Sequence, residues 1–287
     1  MVLFGYEIVF GGEVGVSDPS LPQIPLHEVA HLEGVPLRTP WLMEGRYPIR
    51  YYSQTPFVAD CPPCRWALEV RGVVTLIWDA SCASISYLRG ERFEPSLLEY
   101  WVCHTFFPLV LALEERYHIL HVGAVAVGGQ AVLFLAPSFG GKSTLVGEFL
   151  RQGHALLSDD TLAVSPRSGG FDAVASYPFH RPYRKSQTLG ERVANSVTTP
   201  LPITALYALE LTPPKRPVTL TPLEGIEKFT VLAQSHFVAF ESMRTRQFEM
   251  VGKMAQTLPL YRLGIPKEMQ RLAEVYTTVR ESLAGLE

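Results

Sequence analysis

Ala136-Pro137-Ser138-Phe139-Gly140-Gly141-Lys142-Ser143-Thr144 joins a glycine turn to a cation and two hydroxyls, and Ser158-Asp159-Asp160 follows one helix-length later. The first stretch can wrap a polyphosphate. Gly140 and Gly141 lack a Cβ, so the backbone there can turn its N–H groups toward an anion. Lys142 can reach the outer phosphates, and the Ser143 hydroxyl can ligate Mg²⁺. The second stretch offers two carboxylates, one to hold a metal and one to accept a proton. Together the two stretches point to phosphoryl transfer. Ala136 stands where the usual G-x-x-x-x-G-K-[ST] pattern has its first glycine, and its small side chain is expected to leave the turn intact. The blander alternative is a glycine turn capped by a lysine, followed by an Asp-Asp turn without chemistry.

Such residues need elements to position them. Gln130–Leu135 is an apolar run suited to a buried strand, and Lys142–Arg151 places Leu145, Val146, Phe149 and Leu150 at helical spacing. A strand, a tight glycine turn and a helix N-terminus together favour an anion. Gly153 can end the turn after the helix. His154–Ser158 then reads as a short buried strand that delivers Asp159 and Asp160 to its carboxyl end, where open α/β sheets bind ligands. If that strand continues through them, the two carboxylates face opposite sides and need different roles.

His121–Val127, Phe134–Thr144 and Arg151–Asp160, taken together, resemble the catalytic core of the HPr kinase/phosphorylase family, over roughly residues 119–165. The resemblance implies an α/β fold whose P-loop nucleotide-binding core is like that of HPr kinase and phosphoenolpyruvate carboxykinase. An N-terminal β-rich part and C-terminal helices would flank it. It implies ATP and Mg²⁺ as cofactors and a serine hydroxyl as acceptor. Carried over residue by residue, Asp159 is the general base and Lys142 binds the β- and γ-phosphates with the rest of the 136–144 loop. Ser143 and Asp160 hold the metal, and His121 sits beside the transferred group. Without the resemblance, His121 reads as a core histidine at a strand start.

The family also carries a Leu-Glu-Ile-Arg-Gly-type segment after the aspartates, which supplies a metal-binding glutamate and part of the protein-substrate loop. Its place here is taken by residues 175–185, which hold His180, Arg181, Arg184 and Lys185 among aromatics and prolines. HPr is therefore disfavoured as the acceptor. The chain looks more like divergent members found beside peptide-modification pathways, some resembling kinases of the C-terminal serine of lasso-peptide precursors. Arg181 and Arg184 are candidate substrate contacts, since a guanidinium can hold phosphate or carboxylate through two hydrogen bonds. A solvated basic loop is the alternative. Three readings stay open: a peptide or protein serine kinase, a small-molecule kinase with the same core, and a nucleotide-binding regulator with little turnover.

Composition bounds the rest. The 287 residues suit one large or two modest domains, and the expected division is residues 1–117 and 118–287. A net charge of −3 gives no reason to expect nucleic acid or an anionic membrane as partner. No basic segment followed by an apolar stretch opens the chain, and Tyr100–Leu113 reads as too short to span a bilayer, so a cytoplasmic location is expected. A homo-oligomer is left open. Cys61 and Cys64 have the spacing of a zinc or redox pair, but Cys82 and Cys103 make no second pair, so reduced structural cysteines are expected. Val2–Phe10, Trp66–Trp78, Ser84–Leu88 and Ile203–Leu211 read as strands, and Glu13–Pro40 as turns. Ser165–Gly170 reads as a hairpin turn and Leu260–Leu263 as a short strand. Pro95–Tyr117, Glu224–His236, Phe237–Leu258 and Pro266–Ala284 read as helices.

Overall fold

The structure, a computed structural model, describes residues 1–10, 19–34, 37–55, 64–182, 187–238 and 240–285. The chain folds into two units. One comprises Met1–Arg116, Lys185–Leu189 and Ala239–Arg244, and the other Tyr117–Arg184, Gly190–Val238 and Thr245–Glu287.

The first unit is a β-sheet with one long helix. Its strands run Val2–Leu3, Tyr6–Phe10, Gln23–Glu28, Ser84–Arg89, Val74–Asp79, Arg65–Val70, Tyr47–Ser53 and Leu37–Arg38, with Leu42–Glu44 also on Tyr47–Ser53. Two expected strands prove to be hairpins. Phe4 and Gly5, at φ +53° and +77°, turn Val2–Phe10 back on itself, and Gly72 at +72° does the same within Trp66–Trp78. Gln23–Glu28 lies inside the stretch read as turns. It pairs in parallel with strands on both sides, a long-range contact that local composition does not reveal.

The helix Pro95–Leu113 shows how one residue reshapes an element. It is α-helical over Pro95–Trp101 and Phe107–Leu113, with a π segment Val102–Phe106 between them. Pro108 has no N–H to give the preceding turn, and the widened turn before it absorbs that loss. The helix stops at Leu113 rather than Tyr117, and Glu115 follows at φ +58°. Starting at Pro95 gives it 19 residues, so it is long and apolar enough to cross a membrane by length and composition. Nearly all of it is buried. Trp101 packs on Tyr47 and Phe106 on Trp66.

The second unit has three layers. Its sheet runs His118–Leu120, Leu162–Arg167, Gly170–Val174, Leu201–Thr212, Gln130–Leu135, Gly123–Val127 and Ala155–Ser158. Gln130–Leu135 and Leu260–Pro266 both lie parallel to Leu201–Thr212. Along Gln130–Leu135, Ala131, Leu133 and Leu135 enter one core while Val132 and Phe134 enter the other. That alternation is the strand's period of two, buried on both faces. The helices Gly225–Ala233 and Arg244–Thr257 supply Leu232, Met250 and Met254 to the first core. The helices Lys142–Arg151 and Leu272–Ala284 supply Leu145, Phe149, Val275 and Val279 to the second. Both C-terminal helices start later than their sequence suggests, at Arg244 and Leu272, after short 3₁₀ turns. The strand before the last helix is also longer than expected. It uses residues through Pro266 because Leu201–Thr212 offers a matching edge.

A buried histidine, His118, and a half-buried one, His236, meet edge to face in this unit. The His118 and His236 rings lie 4.9 Å apart, and His118 Nε2 and His236 Nδ1 have no hydrogen-bond partner. Burial first, then the charges of His236 and Arg246, push His118 down to about 3, and burial lowers His236 as well. The folded state therefore binds fewer protons than the unfolded chain. Stability is retained above the unfolded histidine value of about 6.5 and is lost as pH falls below it. The urea midpoint is expected to drop between about pH 7 and about pH 5, and His118→Phe should flatten that slope. An unchanged slope in the variant would contradict this reading of the pair.

Candidate functional site

The strand Gln130–Leu135 ends at the sheet's edge, and residues 136–141 turn the chain into the helix Lys142–Arg151. Gly141 caps that helix at φ +95°, a conformation that disfavours a side chain. A Cβ on Gly140 would lie 2.6 Å from the Ala136 Cβ and 2.9 Å from the Pro137 carbonyl oxygen. Alanine at the first position of the pattern is thus accommodated because Gly140 is bare. Phe139, itself 88% exposed, also takes a left-handed conformation, at φ +64°. Sequence reasoning assigned the turn to the glycines and missed this strained residue. Phe139→Gly is expected to stabilise the fold by about 1 kcal/mol, read as a higher urea midpoint. An equal or lower midpoint would count against strain there.

Lys142 is buried, and its ammonium is held in place. Nζ donates to the Ala136 carbonyl at 2.6 Å and lies 3.1 Å from His121 Nε2. His121 follows the strand His118–Leu120, and its backbone N–H donates to the Ser235 carbonyl at 2.7 Å. His121 Nδ1 faces Asp160 Oδ1 at 3.5 Å. An ammonium has protons to give and no lone pair, so Nε2 accepts and the ring proton belongs on Nδ1, toward Asp160. Lys142, His121 and Asp160 therefore form one polar chain beneath the glycine turn.

The strand Ala155–Ser158 ends before the aspartates. As expected, the strand delivers Asp159 and Asp160 to its carboxyl end; it does not continue through them, and they sit in a bend. The buried Ser158 hydroxyl donates to the Thr161 carbonyl at 2.8 Å and accepts from the Asp160 N–H at 3.2 Å, which closes that bend. Both carboxylates are buried and they diverge. Asp160 turns to His121. Asp159 Oδ2 accepts the Arg181 backbone N–H at 2.7 Å and lies 3.2 Å from His180 Nδ1. Asp159 Oδ1 is buried without a hydrogen-bond partner. Arg181, expected to contact substrate through its guanidinium, meets Asp159 through its backbone N–H, and Arg184 lies outside the described residues. His180, read in the sequence as one cation of a basic loop, is instead packed against an aspartate.

A groove of about 450 Å³ runs along the helix Lys142–Arg151, lined among others by Ser143, Thr144, Gly147, His180, Met269 and Leu272. Ser143, on the first helical turn, is half-buried. The buried Glu148 lies on the same helix, where it is bound by Arg151 and by Gln152 at 2.9 Å. This volume lies within the range of small-ligand sites, about 300–1,000 Å³.

The residues present suit a polyphosphate with Mg²⁺. A Cβ at Gly141 would meet only Leu211, at 3.6 Å, so the backbone there is open to close approach, and the buried Asp159 oxygen lacks a partner. Hydroxyl and carboxylate oxygens, as on Ser143 and Asp160, are the hard donors that Mg²⁺ takes, usually together with substrate phosphates. Among the described residues no group of three or more His, Cys, Asp or Glu is clustered to hold a metal. Cys64 and Cys82 are exposed and free, Cys103 is buried, and Cys61 lies outside the described residues.

Protein-family models and curated protein sequences yield no match to this chain. Among solved structures, the HPr(Ser) kinase/phosphatase from Coxiella burnetii aligns with a TM-score of 0.36 and 11% identity, over 59% of this chain and 99% of that one.

Proposed function

We propose that this protein is an ATP- and Mg²⁺-dependent kinase that phosphorylates a serine hydroxyl on a peptide or protein, the C-terminal serine of a lasso-type precursor being one candidate acceptor. The observation that carries the reading is the pairing of two features. One is a glycine turn closed over the Lys142–His121–Asp160 chain. The other is a buried Asp159 oxygen with no partner nearby. ATP with Mg²⁺ would supply the phosphoryl group and neutralise its developing charge. Lys142, the backbone of residues 136–144 and the Ser143 hydroxyl would hold the phosphates and the cation, with Asp160 as a further metal ligand. His121 orients Lys142 and Asp160 through its two ring nitrogens. Asp159 would accept the proton of the incoming hydroxyl, whose oxygen bonds to the γ-phosphorus as its bond to the departing ADP breaks. Positioning and electrostatics account for most of such catalysis.

A second reading, a small-molecule kinase, is favoured by one feature. Met269, in the turn before the last helix, and Leu272, at that helix's start, line the groove. One experiment separates the two: mass spectrometry of serine-ended peptides and of small alcohols after incubation with Mg²⁺ and ATP. Phosphate on a peptide serine supports the first reading, and phosphate confined to a small alcohol supports the second. ATP binding with no phosphorylated product contradicts both and favours a regulator.

A further inference from the structure

We propose that His180 is a positioning residue for Asp159: it fixes the carboxylate through Oδ2 so that Oδ1 stays unpaired for the acceptor hydroxyl. The proposal rests on the reading of Asp159 as the proton acceptor.

Asp159 has two oxygens in different situations. Oδ2 receives the aligned Arg181 N–H at 2.7 Å and faces His180 Nδ1 at 3.2 Å. Oδ1 is buried and unpartnered, although buried polar atoms are almost always hydrogen-bonded. The His180 contact has ion-pair distance but not hydrogen-bond alignment, since Nδ1 itself lacks an aligned partner. Catalytic contacts are often loose in this way before substrate binds.

The surroundings of the imidazole are shaped for it. Gly147 lies inside the helix Lys142–Arg151, where glycine is unfavourable relative to alanine. A Cβ at that position would lie 3.0 Å from His180 Nε2. Gly190, at φ +99°, brings the returning chain so close that a Cβ would lie 2.4 Å from the His180 carbonyl oxygen. Phe179 and His180 pair with Glu191 and Arg192 across that return. Gly147 thus leaves room for the ring against the helix, and Gly190 leaves room for the backbone that carries it. Neither glycine is required by the carboxylate alone.

The test compares His180→Ala, His180→Gln, His180→Asn and Gly147→Ala with the parent. ADP release from Mg·ATP, with water in place of the acceptor, gives kcat, and a fluorescent ATP analogue gives Kd. An asparagine amide nitrogen falls near the Nδ1 position, whereas a glutamine amide mimics Nε2. His180→Ala and His180→Gln are expected to lower kcat about tenfold to hundredfold with Kd unchanged, as for a small misplacement of a reacting group. His180→Asn should recover most of the loss. Gly147→Ala should lower kcat, but should add nothing to His180→Ala, because both act through one contact. Asn and Gln variants that behave alike, or additive losses, would overturn the proposal. Ring-nitrogen NMR reads the contact without turnover: Asp159→Asn should move the His180 signals and leave His154 unmoved, and stationary His180 signals would also overturn it. If Asp159→Asn turns over like the parent, the proton-acceptor reading itself fails. If Asp159→Asn is inactive while the His180 series is parent-like, the role of His180 alone fails.

Discussion

Asp159→Asn is expected to lower phosphoryl transfer by about 10²- to 10⁴-fold, the usual contribution of a positioned general base. The substitution keeps the size of the side chain. Its amide can still present an oxygen to the Arg181 N–H, so the bend at residues 159–160 should survive. The amide oxygen is far less basic than a carboxylate, and the proton of the acceptor hydroxyl then has no destination. Nucleotide affinity should stay within about threefold of the parent, because Asp159 is assigned to the acceptor and not to the phosphates. A loss of affinity with turnover intact would reverse that assignment. The two parameters together separate a proton acceptor from a metal ligand, which would lower both.

Lys142→Ala is expected to have the opposite signature. The buried ammonium donates to the Ala136 carbonyl and contacts His121, and in the proposed complex it would exchange such partners for phosphate oxygens. Hydrogen bonds to charged groups contribute about 1.5–3 kcal/mol each, so ATP affinity should fall about tenfold to hundredfold. Calorimetric titration with Mg·ATP checks this. Removal also leaves the Ala136 carbonyl and His121 Nε2 without their donor, so thermal stability should fall modestly in the same variant. Unchanged ATP affinity in a folded Lys142→Ala protein would contradict a phosphate-binding loop.

The part of the site around Lys142 was legible because its determinants are local. An apolar strand, two glycines and a helix with apolar spacing lie within one short stretch, and each element forms where the pattern puts it. The helix Lys142–Arg151 and the hairpin Leu162–Val174 were legible for the same reason. What the sequence concealed is set by contacts between remote segments. His180 looks like one more cation of a basic loop until Gly147 and Gly190 are seen around it. Its only signal in the sequence was a glycine inside an otherwise regular helix. Asp159 and Asp160 could be named as a pair, but their separation into different partners follows from a bend held by Ser158 and not from strand alternation. In the first unit, Tyr47–Ser53 was passed over even though its burial alternates residue by residue. The proline within it and the charged Arg50 masked a half-buried strand pattern.

The most direct test of the central claim follows labelled phosphate from γ-labelled ATP in the presence of Mg²⁺ and a serine-ended peptide. The parent protein, Asp159→Asn and Lys142→Ala are compared in parallel. The expected result is label on the peptide serine with the parent, and loss of that label in both variants, with ATP affinity retained in Asp159→Asn and lost in Lys142→Ala. Peptide labelling that persists at the parent's rate in Asp159→Asn would contradict the account.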